Sequence, residues 1–155
     1  MSAQPRRTYL AVPAHRRNMV EGAARSAADA VFLDLEDAVP PGEKAAALAG
    51  AKAALAELDW GQKHVSVRIN AGAAAEAAAL AGCARLDAII LPKTEHPRQL
   101  AEVVSALAAD GGRIGLEALI ETAAGLVQVD SIAASGGRLK ALHFGVGDFA
   151  ASLGA

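Results

Sequence analysis

Short apolar runs alternate with longer Ala-rich stretches along the whole chain. The runs predict strands over residues 8–12, 30–35, 65–69, 88–91, 114–120 and 139–144. The stretches between them predict helices over residues 17–27, 43–58, 74–84, 97–109 and 123–134. Pro40-Pro41-Gly42, Asn70-Ala71-Gly72, Gly111-Gly112 and Ser135-Gly136-Gly137 punctuate the pattern as turns. The strands read as apolar on both faces, the mark of a parallel sheet covered by helices. Strict β–α alternation leaves an open doubly wound sheet or a closed barrel.

The polar positions carry a second regularity. Five apolar runs end in charged side chains: Val31-Phe32-Leu33 before Asp34, Glu36 and Asp37; Val65-Ser66-Val67 before Arg68; Ile89-Ile90-Leu91-Pro92 before Lys93; Ala118-Leu119-Ile120 before Glu121; and the run from Leu142 to Gly147 before Asp148. From Glu36 the successive ends are 32, 25, 28 and 27 residues apart, roughly one βα unit each. Charges at the carboxyl ends of successive parallel strands are how a (β/α) barrel builds a site. The expected fold is therefore α/β, of the (β/α)8 TIM-barrel type, as one domain over residues 1–155. Six strands and five complete helices make about six of the eight βα units. Such a chain is expected to be a barrel lacking its last quarter, to close differently, or to be completed by a partner.

Composition changes this picture little. Hydrophobic residues make up 53 % of the chain, but much of that is Ala and aromatics are only 3 %, which favours small-residue helices packed closely on strands. A formal net charge of -2 argues against an electrostatic nucleic-acid binder. The sequence has no uninterrupted apolar stretch long enough for a membrane span, and the segment after the polar start at Met1 to Arg7 is too short for a signal peptide. A cytoplasmic protein is the expectation. Cys83 is expected to be a small apolar residue on a helix.

The charged strand ends have the inventory for a divalent cation and an anionic substrate. Glu121 and Asp148 are the candidate metal ligands, because Mg²⁺ takes one or two carboxylates and completes its shell with water and substrate oxygens. The alternative is two solvated acids on loops. Arg68 is a candidate clamp for a substrate carboxylate, or the partner of Glu36 or Asp37, or both, since a clamp needs supporting partners. Asp34, Glu36 and Asp37 cannot all stay ionised in a dry pocket without cations, and Glu36 is the stronger candidate for holding Arg68 or a metal-bound water. Lys93 suits an anionic substrate or a structural ion pair with Glu36, Asp37 or Glu121; nothing further supports a Schiff base there. The basic segment His15-Arg16-Arg17 suits phosphates or is a solvated loop. His64, His96 and His143 lack metal spacing, and His143 reads as a core histidine. No Walker motif and no Gly-x-Gly-x-x-Gly follows the first strand.

Together these strings resemble a known family. They are Arg7-Thr8-Tyr9-Leu10-Ala11-Val12-Pro13, then Leu33-Asp34-Leu35-Glu36-Asp37-Ala38-Val39-Pro40 with Lys44, and Val67-Arg68-Ile69-Asn70. Leu91-Pro92-Lys93, Ile120-Glu121-Thr122 with Gly125, and Phe144-Gly145 with Asp148-Phe149 complete the set. It is similar to the citrate lyase beta-subunit-like members of the HpcH/HpaI aldolase superfamily, the CoA-ester lyases. The resemblance implies a TIM barrel assembled as a homo-oligomer, a trimer or hexamer. It implies Mg²⁺ on Glu121 and Asp148, a substrate carboxylate on Arg68, and Glu36 and Asp37 as the acidic pair beside it. Arg16 and Arg17 fall where relatives contact CoA. Departures are Ala14 where the family has Gly, and Ala and Leu after Lys44 where an Arg is common. Relatives also run on for roughly another hundred residues, as a full barrel of about 250 requires.

The expected activity is Mg²⁺-dependent cleavage of a citryl-, malyl- or citramalyl-CoA type thioester to acetyl-CoA and a 2-oxo acid. The alternatives are a pyruvate-type aldolase acting on free 2-oxo acids, and a non-catalytic segment or partner-dependent subunit.

Overall fold

The computed structural model describes residues 6–155; the polar start of the chain before that lies outside the described residues. The chain divides into two compact units. One runs up to Arg68 and takes in Cys83–Asp87, and the other is Ile69–Gly82 with Ala88–Ala155.

The first unit carries the strands β1 (Tyr9–Pro13), β2 (Ala30–Asp34) and β3 (His64–Arg68). They are parallel, with Leu10 opposite Val31 and Val31 opposite Val65. Helix α1 (Arg17–Arg25) buries Val20 and Ala23, and packs on β1, β2 and α2 (Lys44–Glu57). Helix α2 buries Ala47, Ala51, Ala54 and Leu55, which lie three or four residues apart on one stripe. Alanine there lets the helix approach closely. At Gly50 the approach is closer still, since a Cβ would stand 2.5 Å from the Ala14 carbonyl oxygen. Trp60 closes the end of α2, buried and donating its indole N–H to the Ala54 carbonyl at 3.1 Å. The helix begins after a single 3-10 turn, Pro41–Glu43, which the Pro-Pro-Gly string imposes.

The second unit carries α3 (Ala74–Leu80), β4 (Ala88–Leu91), α4 (Pro97–Ala106), β5 (Gly115–Ile120), α5 (Ala123–Val127), α6 (Val129–Ala134), β6 (Leu139–Phe144) and α7 (Val146–Ser152). Its strands are again parallel, with Ile89 opposite Leu116 and Ala118 opposite Leu142. Helix α4 starts on a capping box. His96 Nδ1 accepts from the Arg98 N–H at 3.1 Å, Gln99 Oε1 accepts from the His96 N–H at 2.9 Å, and Pro97 occupies the first turn.

All six predicted strands and five predicted helical stretches are present, with ends shifted by a few residues. The differences are informative. The stretch over 123–134 is two helices, because the chain turns at Gln128, whose N–H is shared by the Ala124 and Gly125 carbonyls. The segment after Gly145 is a further helix, α7, too short and too rich in Gly and Ala for its periodicity to be read. Cys83 lies in a turn beyond α3, not on a helix. Strands β2, β4 and β5 are buried on both faces as expected, but β1 and β6 are not. Leu10, Leu142 and Phe144 are exposed, on strands that end the pairing order within their units. No helix among the described residues is long and apolar enough to cross a membrane.

Two glycines of the longer helices, Gly22 in α1 and Gly50 in α2, give a test of the close approach. A Cβ at Gly22 meets nothing within 4 Å, whereas one at Gly50 meets backbone. Gly22→Ala is expected to stabilise by about 0.5–1 kcal/mol through helix propensity alone. Gly50→Ala is expected to destabilise by about 1–3 kcal/mol through overpacking. Urea-unfolding midpoints of the two variants check the opposite signs.

Candidate active site

In the first unit the carboxyl ends of β2 and β3 meet in register, with Asp34 directly opposite Arg68. Side chains of register partners on adjacent parallel strands leave the same face, so the two are set to pair. They do so in bidentate fashion: Arg68 Nε donates to Asp34 Oδ1 and Nη2 to Oδ2, both at 2.7 Å. Glu36 Oε2 lies 3.2 Å from Arg68 Nη1, and Asp37 Oδ2 accepts from the same nitrogen at 3.3 Å. The Phe32 ring stands beneath the guanidinium, its centroid 5.6 Å from Cζ.

Asp34 and Glu36 are buried, Arg68 is nearly so, and Asp37 is half-exposed. Burial alone would push the Asp34 carboxyl up. The Arg68 bonds and the N–H groups of Glu36 and Ala38, each at 2.9 Å, outweigh it and hold Asp34 below the usual carboxylate range. Burial likewise opposes the Arg68 charge, and the Asp34, Glu36 and Asp37 carboxylates more than restore it, so its pKa is raised. Lys44, the first residue of α2, donates to the carbonyls of Leu35 at 2.8 Å and Glu36 at 2.5 Å, and so fixes the acidic loop to the helix.

The sequence suggested Glu36 as the holder of Arg68. The structure shows that contact, with Glu36 and Asp37 both at Nη1, and adds Asp34 as the main partner, holding the guanidinium in a two-bond fork. Asp34 sits at the last position of a buried strand, and that was the available signal. The missing knowledge was the register that sets it opposite Arg68.

In the second unit Glu121 follows the last residue of β5 and is buried. Its Oε1 accepts the Lys93 N–H at 2.8 Å. Lys93 itself has φ +47°, the left-handed region that L side chains rarely adopt. That conformation costs of order 1 kcal/mol and turns the amide toward Glu121. The Lys93 carbonyl accepts from Gln99 Nε2 at 3.2 Å, and the Thr94 N–H donates to the Leu119 carbonyl at 3.1 Å, so both sides of the turn are tied. Glu121 lies against Gly145, where a Cβ would stand 2.6 Å from its own Cβ and 2.7 Å from Oε2. Only glycine fits there.

Asp148 is in the first turn of α7 and not on the strand-end loop the sequence suggested. Its Oδ2 lies 3.4 Å from Lys93 Nζ, with both side chains part-exposed. Lys93 thus contacts both acids, Glu121 through its amide and Asp148 through its ammonium. Asp148 was not among the partners that the sequence suggested for Lys93. Sequence reading also missed the Gly145 cradle and Thr122, whose hydroxyl donates to Glu95 Oε1 at 2.8 Å and accepts the Gly125 N–H at 3.0 Å to start α5. His143 pairs with the fully buried Glu117, Nε2 to Oε2 at 2.9 Å, in keeping with a structural histidine. Arg16 is exposed at the start of α1.

Among the described residues no group of three or more His, Cys, Asp or Glu side chains gathers as a metal-ligand set. Glu121 and Asp148 are two carboxylates, one buried and held by an amide, the other part-exposed beside the Lys93 ammonium. An all-oxygen donor set of this size fits Mg²⁺, which usually keeps waters and substrate oxygens in its shell, and does not fit a closed zinc site.

Parallel strands alternating with helices, with charged side chains at their carboxyl ends, define an α/β protein. A family model, HpcH/HpaI aldolase/citrate lyase, matches residues 7–155, and the chain belongs to that family. The L-malyl-CoA/beta-methylmalyl-CoA lyase of Cereibacter sphaeroides (strain ATCC 17029 / ATH 2.4.9) is 41 % identical over 165 residues, covering 98 % of this chain and 52 % of that one. A (3S)-malyl-CoA thioesterase of the same strain is 38 % identical over 156 residues, covering 98 % of this chain and 53 % of that one. The chain spans about half the length of these curated relatives.

Among solved structures, a Mycobacterium tuberculosis citrate lyase beta subunit complexed with oxaloacetate and magnesium matches with a TM-score of 0.78 at 36 % identity, covering 97 % of this chain and 64 % of that one. A CitE protein from the same organism, in complex with magnesium, acetoacetate and coenzyme A, matches with a TM-score of 0.75 at 34 % identity, covering 97 % of this chain and 54 % of that one. The fold is accordingly α/β of the TIM-barrel type.

The buried Asp34–Arg68 pair makes the acid limb of stability a test of the arginine cluster. Asp34 has a lowered pKa in the folded chain, so its contribution is present above the ordinary carboxylate value of about 4 and is lost as pH falls through the lowered one. Asp34→Asn is expected to cost about 3 kcal/mol at pH 7, since it leaves a buried guanidinium short of its main partner. It is also expected to flatten the loss of stability below about pH 4. Urea titrations across that range check both.

Proposed function

We propose that the chain carries the cation- and carboxylate-binding parts of a Mg²⁺-dependent carbon–carbon lyase acting on CoA thioesters of 2-hydroxy acids, of the malyl-, citramalyl- or citryl-CoA type. The observation that carries this reading is the buried Glu121 carboxylate, fixed at a strand end by an amide and a glycine, with Asp148 joined to it through Lys93. Relatives named as malyl-CoA lyases, and similar structures named with magnesium, oxaloacetate and coenzyme A, support it.

In this reading Glu121 and Asp148 hold the cation. Mg²⁺, when bound, supplies Lewis-acid polarisation of the substrate's oxygen. Arg68 binds the substrate carboxylate. Asp34 already takes Nε and one hydrogen of Nη2, so the edge left for a second fork is Nη1 with the other Nη2 hydrogen. Asp37, half-exposed and at 3.3 Å, is the partner that such a carboxylate would replace most readily at Nη1. The acidic pair Glu36 and Asp37 then serves the hydroxyl proton, with Asp37 as its acceptor. When that proton leaves, the bond β to the thioester carbonyl breaks. Its electron pair passes into the thioester enolate, which takes a proton to give acetyl-CoA, and the other product is the 2-oxo acid. Arg16, exposed at the start of α1, offers charge to the CoA phosphates, and Lys93 a further cation near the anionic substrate.

The test is incubation with malyl-CoA and citramalyl-CoA in Mg²⁺, with products followed by mass spectrometry. Acetyl-CoA and a 2-oxo acid are expected, with turnover abolished by EDTA. Glu121→Gln, Asp148→Asn and Arg68→Met are each expected to lower the rate by about 10²-fold or more, on the scale of removing one electrostatic partner of a reacting group. Free CoA with malate would indicate thioester hydrolysis, the reaction named for the 38 % identical relative. Absence of both product sets would sink the reading.

A further inference from the structure

We infer that Lys93 is the resident counter-ion of the Glu121–Asp148 pair: a positioning residue whose ammonium neutralises the carboxylates until a divalent cation displaces it. The inference rests on the reading that these two carboxylates hold the cation.

Two features of Lys93 argue for this, one at each end of the residue. Its backbone is held at φ +47° by the Gln99 bond to its carbonyl and the Thr94 N–H bond to Leu119, and this turns its N–H onto Glu121 Oε1. A residue so constrained cannot move its amide away without undoing the turn. Its side chain is different: Nζ stands 3.4 Å from Asp148 Oδ2, an ion pair longer than a good hydrogen bond, with 38 % and 44 % of the two side chains exposed. One end is therefore fixed and the other is displaceable.

Charge decides what the displaceable end does. Glu121 and Asp148 carry two negative charges where they are ionised, and an amide adds no net charge to offset them. The ammonium offsets one. A divalent cation offsets both, and it then repels the ammonium that stands beside Asp148. The exchange takes place at Asp148, because Glu121 is buried against Gly145 and tied to the Lys93 amide, whereas Asp148 is part-exposed on a short helix. The lysine consequently preserves the geometry of the metal-free pair and weakens the metal's hold on it.

The opposed effects give the inference a sign that a simple ligand-supporting role lacks. The experiment uses the 155-residue chain as wild type and as Lys93→Met, Lys93→Gln, Lys93→Arg and Lys52→Met, the last on the exposed face of α2 as a control for net charge. Mn²⁺ affinity is read from the electron paramagnetic resonance signal of the free ion, and Tm is read in EDTA and in excess Mg²⁺. Lys93→Met and Lys93→Gln are expected to bind Mn²⁺ about five-fold more tightly, the scale of one part-exposed charge pair. They are expected to melt below wild type in EDTA and to recover in Mg²⁺. Lys93→Arg and Lys52→Met are expected to behave as wild type.

Unchanged or weaker Mn²⁺ binding in both neutral variants would overturn the inference while leaving the metal reading intact. Failure of both to fold even in Mg²⁺ would also overturn it, since the role would then be structural. No Mn²⁺ binding by the wild-type chain would overturn the metal reading itself, and the inference with it.

Discussion

A guanidinium taken out of water must be met by acceptors on every edge, and Arg68 organises the first unit around that requirement. Its charge cannot be discharged by losing a proton, so the surrounding chain has to supply the negative charge. The Asp34 fork does most of this. Asp34 in turn needs the Glu36 and Ala38 N–H groups, and these are available only because the chain turns sharply after β2. That turn is held by Lys44, which bonds two of its carbonyls from the first residue of α2. Strand, loop and helix start are therefore fixed by one buried ion and the groups needed to satisfy it. A pair of this kind is seldom a net source of stability. Its effect is to give the guanidinium a single orientation.

The second unit meets the converse problem, a buried carboxylate, by different means. Glu121 has an amide and the flat space beside a glycine, and the cation opposite Asp148 arrives on a flexible stem. Backbone supplies the rigid contact and a side chain supplies the adjustable one. This division would suit the proposed cation centre, which needs one fixed carboxylate and one adjustable charge. The Gly125 approach to the Thr94 carbonyl, where a Cβ would stand at 2.5 Å, keeps α5 tight against the same turn.

Much of this could be read from the order of residues. Strand positions were legible because β2 and β4 are apolar runs and β5 is interrupted only by Glu117, and a charged residue follows or ends each one. The family resemblance rested on those same ends. What could not be read depended on register, backbone strain or weak periodicity. Asp34 and Glu36 are equivalent acids in the sequence, and only the pairing of β2 with β3 distinguishes the one opposite Arg68. The Lys93 amide contributes through a φ value that its residue type disfavours, so no propensity signals it. Helix α7 is seven residues of small and apolar side chains, and the break at Gln128 interrupts a stretch whose composition is helical throughout. Exposed Leu142 and Phe144 make β6 look like an interior strand by composition alone.

The arginine cluster is built wholly from residues between Phe32 and Arg68, and the Lys93 cluster wholly from residues between Lys93 and Asp148. Each is closed by neighbouring parallel strands and the helices that connect them. The chain entropy lost in assembling either one is that of loops tens of residues long, and this grows only as the logarithm of their length. Each charged constellation can thus form as its own βα segments dock, before distant parts of the chain have been ordered. The contacts of each cluster are therefore local to its own βα segments, and neither draws a partner from the other.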